Sequence, residues 1–313
     1  MVVPHGVRIR WADLPPAVVA GVEDVLGDRV VETMSQVGGF SPGVAERVRT
    51  ADGRRAFVKA GGLALNEFTP GMYRREIAIT AALPPQAPAT HLIGSYDDGD
   101  WVALVLADVD GRHPHTPWQV AEIDAVAATL ALLADELTPV PAGLVVPRTD
   151  EELADDFAGW ARLRTEAPAS VPALAAGHLD ELHGLALDGI AAAAGETLVH
   201  LDVRSDNLLV RADGSVVLVD WPWASRGARW VDSLALLLNV GLYGGHDPED
   251  LVAGNPVLAD APAPQLTAFL AGLGAYFADI SRRPAPPGLP TVREFQRQQG
   301  EVVLRWLARR LGW

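Results

Sequence analysis

The stretch LVHLDVRSDNLLV, residues 198–210, sets apolar strand residues at both ends around His200, Asp202, Arg204, Asp206 and Asn207. A surface turn is one account of it, since Ser205, Asp206 and Asn207 are all turn formers. The residues that follow, RADGSVVLVDWPWA, narrow the choice. A second short strand, Val216 to Val219, comes after an Asp-Gly turn and ends on Asp220. The hairpin thus carries Asp202 and Asn207 before its first strand and Asp220 after its second, so the three side chains can meet at one end. A small set of oxygen ligands suits Mg²⁺, which keeps several waters and draws its other ligands from substrate phosphates.

Asn207 lies five residues after Asp202, the interval between the Asp and the Asn of the H-R-D-x-x-x-x-N catalytic loop of protein kinases. The form found here, H-L-D-V-R-S-D-N, resembles more closely the H-x-D-x-x-x-x-N loop of the aminoglycoside phosphotransferase family. Asp220 resembles the metal-binding Asp that opens the kinase D-F-G segment. This resemblance implies an α+β, two-lobed protein-kinase-like fold. The N-terminal lobe would hold a five-stranded antiparallel sheet with one main helix; the C-terminal lobe would be mostly helical and carry the catalytic hairpin. It also implies roles. Asp202 would accept the hydrogen bond of an acceptor hydroxyl, Arg204 would stabilise the transferring phosphoryl group, and Asn207 and Asp220 would hold one or two Mg²⁺ ions. His200 and Asp232 would brace the loop. The family commonly places a second acidic residue soon after the metal Asp, whereas Asp220 is followed by Trp221-Pro222-Trp223. Trp221, Trp223 and Trp230 are either core or the wall of a sugar or cation site.

Lys59 is the other informative position. It is the sole Lys, for the remaining 24 of the 25 basic residues are Arg. A short strand, Ala56 to Ala60, presents it, and a compact ammonium on a flexible stem is not replaced by a planar Arg fork. Ahead of it, Gly38, Gly39 and Ser41 lie in a glycine-rich turn whose amides can approach phosphate oxygens closely, although a plain hairpin turn reads the same way. A helix follows in TPGMYRREIAITAAL, with Thr69 as its N-cap and Pro70 at its first position. Glu76 in that helix lies 17 residues after Lys59; the resemblance implies that it pairs with Lys59, and a solvated surface charge is the alternative. The strand WVALVLADV ends in ADVDGRHP, where Gly and Pro appear. A hinge is placed there, at about 107–111, dividing an N-terminal lobe of residues 1–108 from a C-terminal lobe of residues 109–313. The resemblance implies that a nucleotide base bonds the backbone of Ala107 and Val109.

A chain of 313 residues exceeds the usual single core, in agreement with two lobes. It has no cysteine, which excludes disulfides, thiolate metal sites and cysteine nucleophiles. No signal peptide or long apolar run stands out, so the expectation is a soluble cytoplasmic protein with no membrane partner. The net charge of −15 argues against nucleic acid and permits a cationic substrate, though an acidic surface also serves solubility. Beyond 117 helices are expected over 118–137, 151–163, 171–194, 229–242, 265–281 and 291–311, the last after the stiff SRRPAPPGLP connector.

The function this implies is an ATP- or GTP-dependent, Mg²⁺-requiring kinase of a small-molecule hydroxyl, an antibiotic or a metabolite. A catalytically silent nucleotide-binding module is the first alternative, and retention of Lys59, Glu76, Asp202, Asn207 and Asp220 together counts against it. A metal-dependent hydrolase using His200, Asp202 and Asp220 would need further ligands, and His113, His115, His178 and His183 form no such pattern.

Overall fold

A computed structural model describes residues 8–36 and 42–313. Helix α1 (Pro16–Leu26) precedes strands β1 (Val30–Ser35), β2 (Val44–Thr50) and β3 (Arg55–Gly62). Helix α2 (Thr69–Ala82), β4 (Leu92–Asp97) and β5 (Trp101–Ala107) follow. The five strands form one antiparallel sheet in the order β1-β2-β3-β5-β4. Strand alternation decides what each face carries. Ala56, Val58 and Ala60 of β3 join Val44 and Val48 of β2 beneath Val18, Val22 and Leu26 of α1. Phe57 and Lys59 therefore face the opposite side, where α2 packs Tyr73 on Val102, Leu104 and Leu106. Helix α1 ends where Gly27 turns left-handed at φ 72°, its N–H returning to the Glu23 carbonyl at 2.7 Å. Helix α2 departs from expectation at its start. Phe68, not Thr69, is at the N-cap, and the Asn66 Oδ1 accepts from the Thr69 N–H at 3.1 Å, so Thr69 is already helical.

The remainder is mostly helical: α3 (Val120–Glu136), α4 (Thr149–Glu152), α5 (Ala154–Phe157), α6 (Gly159–Glu166) and α7 (Leu179–Ala192) come first. Four short strands intervene, β6 (Thr197–Val199), β7 (Leu208–Val210), β8 (Val216–Leu218) and β9 (Ser225–Gly227). Helices α8 (Val231–Tyr243), α9 (Pro248–Val252), α10 (Ala263–Ile280) and α11 (Val292–Leu311) complete the chain. The helix expected over 151–163 is instead broken at Leu153 and again at Ala158. Gly159 there lies so close to α10 that a Cβ would sit 2.3 Å from the Ala275 carbonyl. The helix expected from 171 begins only at Leu179, the residues before it forming turns. Helix α10 lies at the centre of this part, burying Leu266, Phe269, Leu270 and Ala271 with Phe157, Trp160, Leu182 and Val303. A second core joins α2 through Ile79 and Leu83 to α3, to the β7-β8 hairpin and to Trp221, so α2 and the helical part share packing. Among the described residues no helix is long and apolar enough to cross a membrane.

Candidate functional site

The β7-β8 hairpin pairs Leu208 with Leu218 and Val210 with Val216. The Val219 N–H then donates to the Asn207 carbonyl at 3.0 Å, which brings Asn207 and Asp220 to one end of the hairpin. β6, paired with β9, delivers His200 to the same end. His200 is fully buried and its pKa is lowered, by burial above all. Its Nδ1 accepts from the Asp202 N–H at 3.2 Å, which leaves the proton on Nε2 to donate to the Val219 carbonyl at 3.0 Å. The neutral ring thus ties the two polar segments together. Asp232, in the first turn of α8, accepts from the backbone N–H of His200 at 2.7 Å and of Leu201 at 2.9 Å. Those bonds offset the cost of Leu201 at φ 65°, a left-handed conformation that carries a penalty of about 1–2 kcal/mol outside glycine. Asp220 is also left-handed, at φ 68°, and its side chain is held by Lys59.

Lys59 of β3 donates to both oxygens of Glu76, at 2.8 and 2.9 Å, and to Asp220 Oδ1 at 2.6 Å. Glu76 is wholly buried, so the solvated-charge alternative is excluded. Burial opposes the charge on Lys59, but Asp220 and Glu76 together raise its pKa, and it stays protonated. Burial raises the pKa of Glu76, with Lys59 pulling the other way. At Asp220 burial also acts upward, yet the Lys59 ammonium prevails and the carboxyl is held below its ordinary range.

Asp202 and Arg204 face one another. Arg204 reaches both oxygens of Asp202 from one nitrogen at 2.8 Å and forks onto Asp206 at 2.9 and 3.0 Å. The guanidinium lies 5.8 Å from the ring centroid of Phe295, on α11. Burial pushes the Asp202 carboxyl up to about 6 against the opposing pull of Arg204. Asn207 Nδ2 donates to the Asp202 carbonyl at 2.9 Å and to its Oδ2 at 3.0 Å, so the amide oxygen points the other way. No described group donates to Asn207 Oδ1 or bonds Asp220 Oδ2. Two open hard oxygens fit a Mg²⁺ ion that completes its shell with water and phosphate. Among the described residues no group of three or more His, Cys, Asp or Glu side chains could hold a metal ion unaided.

Gly38, Gly39 and Ser41 lie outside the described residues. At the end of β5 the Ala107 N–H donates to the His91 carbonyl at 2.8 Å, and among the described side chains the Ala107 carbonyl meets only the Thr90 hydroxyl, at 3.4 Å. Val109 is buried and its N–H donates to no described group. The tryptophans divide. Trp221 is core, set edge-on to His200 with its indole N–H on the Leu218 carbonyl, and Trp230 packs edge-on to Phe269. Trp223 is 48% exposed. Sequence reasoning treated Asp206 as a turn residue and passed over Phe295, Tyr276 and Gln296. Tyr276 accepts from Gln296 at 3.1 Å, and burial, with the charges of Asp156 and Asp202, pushes its hydroxyl up to about 12. These residues come from α10 and α11, and nothing local in their sequence announces that they approach Asp202.

Residues 45–255 match the model of the phosphotransferase enzyme family. Among solved structures, an aminoglycoside phosphotransferase from Alicyclobacillus acidocaldarius is 19% identical with a TM-score of 0.59, 96% of each chain being covered. The choline kinase LicA from Streptococcus pneumoniae is 13% identical with a TM-score of 0.62, over 94% of this chain and 98% of that one. A thermostable aminoglycoside phosphotransferase APH(4)-Ia, in ternary complex with ADP and hygromycin B, is 16% identical with a TM-score of 0.56, over 93% and 98%. These likenesses show the kinase-like fold. No curated protein sequence matches the chain.

Proposed function

This chain belongs to the phosphotransferase enzyme family, and we propose that it is a kinase moving the γ-phosphoryl group of a nucleoside triphosphate onto a small-molecule hydroxyl. The observation that carries this reading is the joining of Lys59, Glu76 and Asp220, from β3, α2 and the end of the hairpin. A buried ammonium shared by two carboxylates is costly unless both are needed to aim it. Here its position beside Asp220 suits the phosphates of a nucleotide lying between the sheet and the helical part, which we divide at about 107–111. Asn207 and Asp220 would hold Mg²⁺, which when bound would neutralise charge on the phosphates.

In this reading Asp202 accepts the proton of the acceptor hydroxyl. The hydroxyl oxygen bonds to the γ-phosphorus as the bond to the β-phosphate oxygen breaks, and the nucleoside diphosphate leaves. Arg204, fixed by Asp206 and set beside Phe295, offers its charge to the moving phosphoryl group. A net charge of −15 favours a cationic acceptor over an anionic one. The intact set of paired groups argues against a catalytically silent module.

The test is thermal shift of the full chain with ATP or GTP, each with and without Mg²⁺, followed by an acceptor screen that reads nucleoside diphosphate release. A ligand that binds only the folded state raises the melting temperature, and a Mg²⁺-dependent rise is expected. No rise at millimolar nucleotide refutes the nucleotide site. A rise with no turnover on any hydroxyl acceptor favours the silent module.

A further inference from the structure

We infer that Arg47 makes the cleft select adenine over guanine; this rests on the reading of the cleft as a nucleotide site. Arg47 stands opposite Phe57 in the β2-β3 register, so it projects from the same face of the sheet as Lys59. From there its guanidinium donates to the Val109 carbonyl and lies 2.8 Å from Asp108 Oδ1. Asp108, 5% exposed at its side chain, is also met by Arg55 at 3.2 Å, and that pairing keeps Arg47 in place along the segment that follows β5.

Three of the four relevant backbone groups therefore have defined states. The Ala107 N–H is taken by His91, the Val109 carbonyl is taken by Arg47, and the Val109 N–H donates to no described group. The fourth, the Ala107 carbonyl, has among the described side chains only the long Thr90 contact at 3.4 Å and can accept. An acceptor and a donor two residues apart on an extended chain point to the same side. Adenine matches this pair, donating N6–H to the Ala107 carbonyl and accepting the Val109 N–H at N1. Guanine does not. With O6 on the Val109 N–H, its N1–H and N2–H would point at the Val109 carbonyl and meet guanidinium donors there. With N1–H on the Ala107 carbonyl, O6 would face an Ala107 N–H already bonded to His91. Buried donors left facing donors are what a site rejects most strongly.

The test measures dissociation constants of ATP, GTP and inosine triphosphate with Mg²⁺ for the full chain and for Arg47→Ala. Inosine triphosphate keeps O6 and N1–H and lacks only the N2 amine. The expectation is that ATP binds at least about tenfold more tightly than either oxo-purine nucleotide, and that Arg47→Ala narrows both ratios at least about fivefold by gaining affinity for GTP and inosine triphosphate. Arg55 remains to pair Asp108 in that variant, and Arg47→Lys, which cannot reach both partners, should narrow the ratios less and serves where Arg47→Ala fails to fold. Wild-type protein that binds GTP as tightly as ATP overturns the inference. So does a folded variant that keeps the wild-type ratios, in which case the nucleotide site stands and only the role of Arg47 falls. Loss of binding by all three nucleotides in the wild type refutes the nucleotide cleft itself, and base selection with it.

Discussion

Replacing Glu76 by Gln tests the connection between the sheet and the hairpin. Both Glu76 oxygens accept from the Lys59 ammonium, at 2.8 and 2.9 Å, and the side chain is wholly buried. The amide keeps one acceptor and turns a donor towards the ammonium, so one charge-assisted bond of about 1.5–3 kcal/mol is lost. Asp220, at 2.6 Å, is then the only charged partner of Lys59, and the ammonium is drawn out of its shared position. If that energy is felt fully by the transition state, kcat/KM for nucleotide falls by about tenfold to hundredfold, since about 1.4 kcal/mol is a decade in rate. Stability falls with it, by a few degrees in Tm for each kcal/mol, roughly 2–4 °C in chains of some 150–250 residues. Scanning fluorimetry and steady-state kinetics on the same preparations read both. Glu32→Gln is the control, for it weakens the exposed pair with Arg49 and should leave Tm and kcat/KM close to wild type. A folded Glu76→Gln enzyme with wild-type kcat/KM would refute the reasoning that Glu76 aims Lys59.

Asp202→Ala should lower kcat by about 10²- to 10⁴-fold while leaving nucleotide affinity in place; wild-type turnover would sink the mechanism. Because burial pushes the Asp202 carboxyl up to about 6 and only its ionised form accepts a proton, kcat/KM should fall as pH drops through about 6 and level off above it. A flat profile between pH 5 and pH 8 would contradict that role. Asp232→Asn leaves one of the His200 and Leu201 N–H groups without its acceptor, at a cost of about 1–3 kcal/mol, and should lower Tm and turnover together. An unchanged Tm would show that the brace is idle. Lys59→Arg should weaken kcat/KM although the charge is kept, because a planar fork cannot serve Glu76 and Asp220 as one ammonium does; unchanged kinetics would count against a phosphate role for Lys59.

What the chain alone made legible is what depends on near neighbours. The hairpin could be read because turn chemistry and strand alternation act over a few residues, and they set the interval from Asp202 to Asn207 and on to Asp220. The strand that presents Lys59 was readable for the same reason, as a short apolar run that follows an Asp-Gly turn. Lys59 was conspicuous because an Arg-rich chain keeps it alone. Local pattern fails where packing overrides it. Helix 151–163 is interrupted at Leu153 and at Ala158, where Gly159 packs against the α10 backbone, and the start of α2 is shifted because the Asn66 side chain folds back on the Thr69 N–H.

Tertiary structure alone decided the rest. Trp221 and Trp223 stand two residues apart, yet one is core and the other half exposed, since only the fold determines which faces the α3 layer. Asp206 looked like a turn former and proves to share Arg204 with Asp202, while Phe295 reaches the same guanidinium from α11. Arg47 is one of 24 arginines, and its hold on the Val109 carbonyl exists only because β2 and β5 flank β3, so that the side chain reaches across the sheet face to the segment after β5. A hydrogen bond or an ion pair depends on distance in space, and distance along the chain carries almost none of that information once residues are tens of positions apart.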